Sequence, residues 1–167
     1  MLNKRRKGLL ANLVTAVREV CGNPASIIVT LDADDALLGA GVLATLTKAY
    51  GGGADATVGT MLRTDKAAHY PAEFEDPKTN RGGNVWQHLR SFRKHLFDTV
   101  PDAVLKLDGG YVELANDWAY MLPIIERADC AVYVREPLYL YEPSGYGKGE
   151  DRIQREENIA RLVNARA

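Results

Sequence analysis

Segments with apolar residues at helical spacing alternate along this chain with short continuous apolar runs, and the alternation sets out its elements in order. Leu10, Leu13, Val14, Val17 and Val20 recur every three or four residues, and Gly22-Asn23-Pro24 supplies a stop, so the spacing predicts a helix over about Lys7 to Cys21. Ile27 to Leu31 form an unbroken apolar and β-branched run, too short for a free-standing helix. That is the pattern of a strand covered on both faces, as in parallel sheets. Val42, Leu43, Leu46 and Tyr50 mark a second helix ended by Gly51-Gly52-Gly53, and Ala56 to Leu62 reads as a second strand. A helix–strand–helix–strand rhythm of this kind belongs to α/β layer folds.

The periodicity disappears from Arg63 to Gly83, where polar, Pro and Gly residues predict a long loop of the functional kind. Gly82-Gly83-Asn84 then precedes a predicted amphipathic helix, with Val85, Leu89, Phe92 and Leu96 on one face and Gln87, Arg90, Arg93 and Lys94 on the other. Asp108-Gly109-Gly110 is a turn. A further helix starts at Asn116 or Asp117 and runs through Trp118, Met121, Ile124 and Ile125, with a kink expected at Pro123. Ala131 to Val134 and Leu138 to Tyr141 read as short strands flanking Glu136-Pro137. After the glycine-rich stretch Ser144 to Gly149, a charged helix over Ile153 to Val163 closes the chain within a C-terminal segment 150–167.

At 167 residues the pattern fits a single domain, long enough to bury about 68–70% of its unfolded surface. A net charge of −1 gives no general attraction to nucleic acid or anionic membrane, so a partner has to be recognised locally. No apolar stretch approaches the ~20 residues of a transmembrane helix. No signal peptide opens the chain, and two distant cysteines, Cys21 and Cys130, are expected as reduced thiols in a cytoplasmic protein.

The chemistry concentrates where the first strand runs straight into Asp32, Asp34 and Asp35. In open α/β sheets the carboxyl ends of the strands form the ligand crevice. Three carboxylates within four residues repel one another unless water or a cation neutralises them, and hard ions such as Mg²⁺ or Mn²⁺ take oxygen ligands of this type while holding substrate phosphates. A metal–phosphate site is therefore expected. The alternative is an acidic loop whose last Asp caps the next helix. Arg81, His88 and Arg90 surround Trp86, and cations beside an aromatic platform suit a sugar or a phosphate; a solvated helix face with one buried Trp is the competing reading. His69 and His95 carry no readable spacing, Lys4-Arg-Arg-Lys7 reads as a solvated basic tail, and Tyr139 and Tyr141 as packing residues on one sheet face.

The segment Ile28-Val-Thr-Leu-Asp-Ala-Asp-Asp-Ala-Leu37 resembles the DxD region of family 2 glycosyltransferases with the GT-A fold, as does the upstream Gly8-Leu-Leu-Ala-Asn12 helix. Gly83-Asn-Val-Trp-Gln-His-Leu-Arg-Ser-Phe-Arg93 is similar to that family's helix lining the acceptor side. Asn116-Asp-Trp-Ala-Tyr-Met-Leu-Pro123 is similar to its helix carrying the catalytic carboxylate, and Pro137-Leu-Tyr-Leu-Tyr141 to the strand that follows. The matches cover roughly residues 5 to 145 in order.

The resemblance implies a truncated GT-A-like, Rossmann-type α/β layer with a mostly parallel central sheet flanked by helices. It implies transfer of a sugar, with inversion, from a nucleotide-diphosphate sugar donor to a glycan or other hydroxyl acceptor. By it, Asp34 binds the Mn²⁺ or Mg²⁺ that bridges the donor diphosphate, Asp32 contacts the donor ribose or the metal shell, and Asp35 orients its neighbours or caps a helix. Asp117 becomes the candidate base, with a helix cap as its alternative role; Asn116 stands where the family often has Glu. The family's first strand, helix and strand, about 80 residues by ordinary βα unit lengths, have no counterpart. An open sheet edge is then expected beside the first strand, met by a homodimer or by a completing N-terminal chain. Two rival functions stay open at this point. One is a non-catalytic module of the same fold; the other is a haloacid-dehalogenase-type phosphatase, whose Asp-Gly-Thr sequence Asp34-Asp35-Ala36 does not supply.

Overall fold

The structure is a computed structural model that describes residues 4–70, 77–79, 86–143 and 150–166, the side chains of 67–70 excepted. Its axis is strand β3, Ala56–Arg63, which is paired along both edges. On one edge β3 runs parallel to β8, Ala131–Tyr141, from Ala56 opposite Ala131 to Arg63 opposite Tyr141. On the other edge, its first residues pair antiparallel with β5, Arg90–Arg93, and its last with β4, Lys66–Tyr70. β1, Ile27–Thr30, extends the sheet beyond β5, and β2, Ala36–Leu37, extends it beyond β8, both antiparallel. A separate hairpin of β6, Lys106–Leu107, and β7, Gly110–Tyr111, turns through Asp108 and Gly109, both at positive φ.

Alternation along the strands divides the apolar residues between two cores. Ile28 of β1, Ala56 and Val58 of β3, Phe92 of β5 and Tyr133 of β8 face a core built with α1 (Leu9–Thr15, continued by a π-turn over Ala16–Val20), α3 (Lys94–Asp98), α4 (Asn116–Arg127) and α5 (Glu150–Asn164). Val29, Met61, Val134 and Leu138 face the other core, closed by Val42 and Leu46 of α2, Val42–Gly51. The α/β layer expected from the sequence is thus the fold observed. Among the described residues no helix is long and apolar enough to cross a membrane.

The sheet is mixed. β1, β3 and β8 run in one direction, as the layer rhythm requires, while β2, β4 and β5 run against them. β1 is an end strand: Ile28 and Val29 reach the two cores, but Ile27 and Leu31 are 39% and 49% exposed, so the apolar run is not covered on both faces. The helix expected from Val85 to Leu96 is instead an irregular approach from Trp86 to Leu89, then β5 and the short α3. Its supposed polar face misled, because Gln87, Arg90 and Lys94 are buried and Arg93 is half-buried. The expected loop from Arg63 begins as a tight β3–β4 hairpin, with Arg63 clasping Asp65 through two 2.8 Å hydrogen bonds; residues 71–76 and 80–85 lie outside the described residues. The two short strands around Glu136-Pro137 are one strand, β8, whose register against β3 shifts on either side of Thr60. The shift absorbs Pro137, which has no ladder donor.

Gly59 lets β3 pass directly against the His88–Leu89 backbone. A Cβ at position 59 would sit 2.9 Å from the His88 carbonyl carbon and closer still to the Leu89 nitrogen, both rigid main-chain atoms. Gly59→Ala should therefore lower denaturant-derived stability by about 1–3 kcal/mol, the usual cost of overpacking. An unchanged denaturation midpoint would show that the two segments are not held at this separation.

Candidate functional site

Because β1, β3 and β8 run the same way, their carboxyl ends lie on one side of the sheet. A crevice of ≈ 1110 Å³ opens there, lined by the ends of all three strands, by α1 and by the start of α4. Asp32, Asp34, Trp86, His88, Arg90 and Asp117 all border it, so six of the residues singled out by sequence meet in one place. Arg81 lies outside the described residues. Asp35 turns away to β8, and His95 is on the surface. Arg6 of the exposed basic tail borders the crevice as well.

The acidic turn is fixed by β8. The Tyr139 hydroxyl accepts the Asp32 N–H at 3.1 Å and donates to Asp35 Oδ2 at 2.6 Å, while Asp35 Oδ1 accepts the Glu142 N–H at 2.7 Å. Asp35 is followed by β2 rather than a helix, so its carboxylate organises the turn and does not cap. Asp34 stands exposed, whereas Asp32 is half-buried. Burial holds the Asp32 carboxyl above its ordinary range; Arg90 opposes this, and the charges of Asp35, Asp34 and Asp117 add to it.

His88 and Arg90 form the inner wall. The His88 ring stacks on Tyr139 with centroids 4.3 Å apart, and its Nε2 meets an Arg90 guanidinium nitrogen. Arg90 also donates to the Tyr120 hydroxyl at 3.0 Å, which in turn lies 3.3 Å from the Thr30 hydroxyl. His88 Nε2 is 3.8 Å from Asp32 Oδ2, yet the contact is not an ion pair: burial first, and Arg90 second, push the imidazole pKa down to about 2, so the ring is neutral. With Nε2 accepting from Arg90, the ring proton resides on Nδ1. Nδ1 is one of four buried polar atoms on this wall that lack a partner among the described residues, together with Trp86 Nε1, Gln87 Oε1 and Arg90 Nε. Most buried polar atoms in folded proteins are satisfied, so four together in the residues behind one crevice wall are unusual, although each is closed to the crevice as it stands.

Asp117 sits in the first turn of α4, whose N-cap position is Ala115 in a left-handed conformation without a side-chain bond. The cap role considered for Asp117 is therefore not the one it plays. Its Oδ2 instead accepts a 2.8 Å hydrogen bond from Arg155 of α5, a residue that also borders the crevice. Sequence reasoning missed Arg155, Tyr120 and Gln87, and it took Tyr139 for packing alone. Burial of Gln87 and the pairing of Tyr139 with an acidic turn 104 positions away leave no periodic signal.

Neutral, buried His88 makes stability depend on pH. Its folded pKa lies below the ordinary 6.5, so beneath about pH 6.5 the unfolded chain binds more protons and stability falls as pH falls. Asp32, whose carboxyl holds its proton more tightly when folded, acts in the opposite sense at the acidic end of the range. In metal-free buffer, going from pH 7 to pH 5 should cost about 2 kcal/mol through His88, and His88→Asn should remove that difference. Equal slopes in the two proteins by denaturant titration would mean that His88 is charged in the fold.

No protein-family model matches the sequence, and no curated protein matches it. Solved structures do match the fold. The structure of S. aureus TarS 1–349 aligns with a TM-score of 0.61 at 11% identity, over 97% of this chain and 47% of that one. TarS 1–349 in complex with UDP-GlcNAc gives 0.60 at 12% identity, over 97% and 48%. Its complex with UDP gives 0.51 at 15%, over 82% and 40%. This chain spans about half the length of the TarS chains it matches. At such identity the likeness is one of fold, and the fold is glycosyltransferase-like.

Proposed function

We propose that this chain carries the catalytic part of a metal-dependent inverting glycosyltransferase that moves a sugar from a nucleotide-diphosphate sugar to an acceptor hydroxyl. The observation that carries the reading is the convergence of Asp32, Asp34 and Asp117 on one crevice at the carboxyl ends of the strands. The TarS complexes with UDP-GlcNAc and UDP make a uridine-linked donor the first to try.

The residues present fit a hard divalent cation. Burial and neighbouring carboxylates disfavour the charged form of Asp32, a cost that a cation would relieve, Asp34 faces water, and donor atoms of Asp32, Asp35 and His88 lie within 4.8 Å of one another. Both Asp35 oxygens already accept hydrogen bonds and Arg90 occupies His88 Nε2, so Asp32 and Asp34 are the residues that would hold the ion. Mn²⁺ or Mg²⁺ bound there supplies Lewis-acid stabilisation of charge on the departing diphosphate. Asp117 takes the proton of the acceptor hydroxyl, whose oxygen forms the new bond at the anomeric carbon. The old carbon–oxygen bond breaks, and its electron pair leaves with the diphosphate. The wall from Trp86 to Arg90 orients the sugar and replaces its water shell. Along the outer edge of β1, beside exposed Ile27 and Leu31, the same reading puts a second copy or a completing N-terminal chain.

A non-catalytic glycan-binding module is the second reading, and the engagement of Asp117 by Arg155 is the observation on its side. Two measurements separate them. UDP with Mn²⁺ at about 100 times its dissociation constant should stabilise the protein by roughly 2.7 kcal/mol, and Asp34→Asn should abolish the effect. A melting temperature indifferent to every nucleotide–metal pair would sink the donor site. In a transfer assay with UDP-GlcNAc, Asp117→Asn should lower the rate by about 10²–10⁴-fold while leaving UDP bound, at a stability cost below about 1 kcal/mol for the lost ion pair. Near-normal transfer by that variant would remove Asp117 from the role of base.

A further inference from the structure

We propose that Arg155 exchanges partners during binding: it holds Asp117 in the free protein and moves to the diphosphate of an incoming nucleotide, freeing the carboxylate for the acceptor. The inference rests on the glycosyltransferase reading and adds to it a residue that couples donor binding to exposure of the base.

The pair is placed for exchange. Arg155 Nη2 and Asp117 Oδ2 are 2.8 Å apart, and both residues border the crevice that Asp32 and Asp34 also line. An acceptor hydroxyl needs a carboxylate oxygen within hydrogen-bond reach, and the guanidinium covers Oδ2. Of the other arginines that border the crevice, Arg6 lies on the exposed basic tail and two are engaged elsewhere. Arg90 is buried against Tyr120 and His88, and Arg63 grips Asp65 with two bonds. Arg155 is a third exposed, at 33%, on a long flexible stem, and its planar fork matches phosphate oxygens as well as it does a carboxylate.

Arg155 is also not what fastens α5 to the body. Leu162 is 2% exposed in the first core, Asn158 donates to the Leu114 carbonyl at 2.9 Å, Arg161 forms a forked pair with Asp108 at 2.7 and 2.9 Å, and Arg166 lies 3.4 Å from Glu126. All four anchors follow Arg155 in the chain, three of them within α5 and Arg166 just beyond its end. The first turns of α5, with Asp151 and Arg155, border the crevice. A structural ion pair would be expected among the anchors; this one stands over the site instead. Exchange costs little, since a partly exposed carboxylate–guanidinium pair is weak and a diphosphate carries more charge than the carboxylate it displaces.

The prediction has a sign that a structural salt bridge does not share. Calorimetric titration of UDP with Mn²⁺ should be run on the full chain as wild type, Asp117→Asn, Arg155→Met and the double variant, with Arg155→Lys as a folded control that keeps the charge but not the fork. Arg155→Met should weaken UDP about tenfold, the worth of one charge-assisted hydrogen bond, and Arg155→Lys should weaken it less. Asp117→Asn should tighten UDP several-fold by releasing Arg155, and the gain should vanish in the double variant. The same gain from Asp117→Asn with and without Arg155 would mean simple removal of a repelling charge and would overturn the exchange. Unchanged affinity in Arg155→Met would overturn it too. UDP that fails to bind the wild type would overturn the glycosyltransferase reading together with this one.

Discussion

Tyr139 has one hydroxyl with two partners from the same turn: it accepts the Asp32 N–H and donates to the Asp35 carboxylate. The acidic turn after β1 is thereby tied to the far side of β3, across the parallel β3–β8 ladder. Without that tie, three adjacent carboxylates would spread apart into water. With it, Asp35 is consumed as a structural acceptor, and Asp32 and Asp34 are left for the crevice. The position of Tyr139 depends in turn on the register shift beside Thr60. A slip of one residue in a strand exchanges the faces to which its side chains point, so the bulge that accommodates Pro137 also decides where the Tyr139 ring goes. That ring then supplies the surface on which neutral His88 stacks.

Charge in the crevice is arranged so that few groups sit at their own energetic minimum. Burial and three other carboxylates push the Asp32 carboxyl above its ordinary range, with Arg90 as the opposing cation. Arg90 is itself buried, and the groups it touches are a phenol and an imidazole rather than a carboxylate. A buried cation without a contacting anion is costly, and the two aspartates that influence it, Asp32 and Asp117, lie on the two sides of the site. Arg90 thus links electrostatically the turn that would hold a metal to the helix that would supply the base. A nucleotide diphosphate with a divalent cation would bring both signs of charge into this field at once.

Much of the scaffold was legible from periodicity. The apolar faces of α1, α2 and α4 and the run of β1 into carboxylates all stand where the spacing put them. The segment from Trp86 to Arg93 was misread for a physical reason. Hydrophobic periodicity divides residues into those that avoid water and those that do not, and it assumes that the second kind face solvent. Gln87, His88 and Arg90 are buried behind the crevice, so their alternation with Leu89 and Phe92 imitates a helix while the backbone runs toward a strand. Partnerships across long sequence separations, Tyr139 with Asp35 and Arg155 with Asp117, exist only after the fold brings the elements together.

The misread strip is also where the fold gives up stability. A buried donor or acceptor left without a partner costs about 1–3 kcal/mol, and four that have none among the described residues lie within the five residues behind one wall. A chain selected for stability alone would place apolar side chains there, as it does at Leu89 and Phe92 on the same segment. The polar wall persists because β5 is held between β1 and β3, with Ser91 hydrogen-bonded to Tyr50 and Thr57, and because Gly59 lets the backbone before β5 lie directly on β3. The scaffold therefore fixes unsatisfied groups in place rather than letting them relax. Those groups are dehydrated but closed to the crevice as it stands, so a ligand gains their hydrogen bonds only where the wall opens to it, and one that lacks their complement leaves the deficit unrelieved.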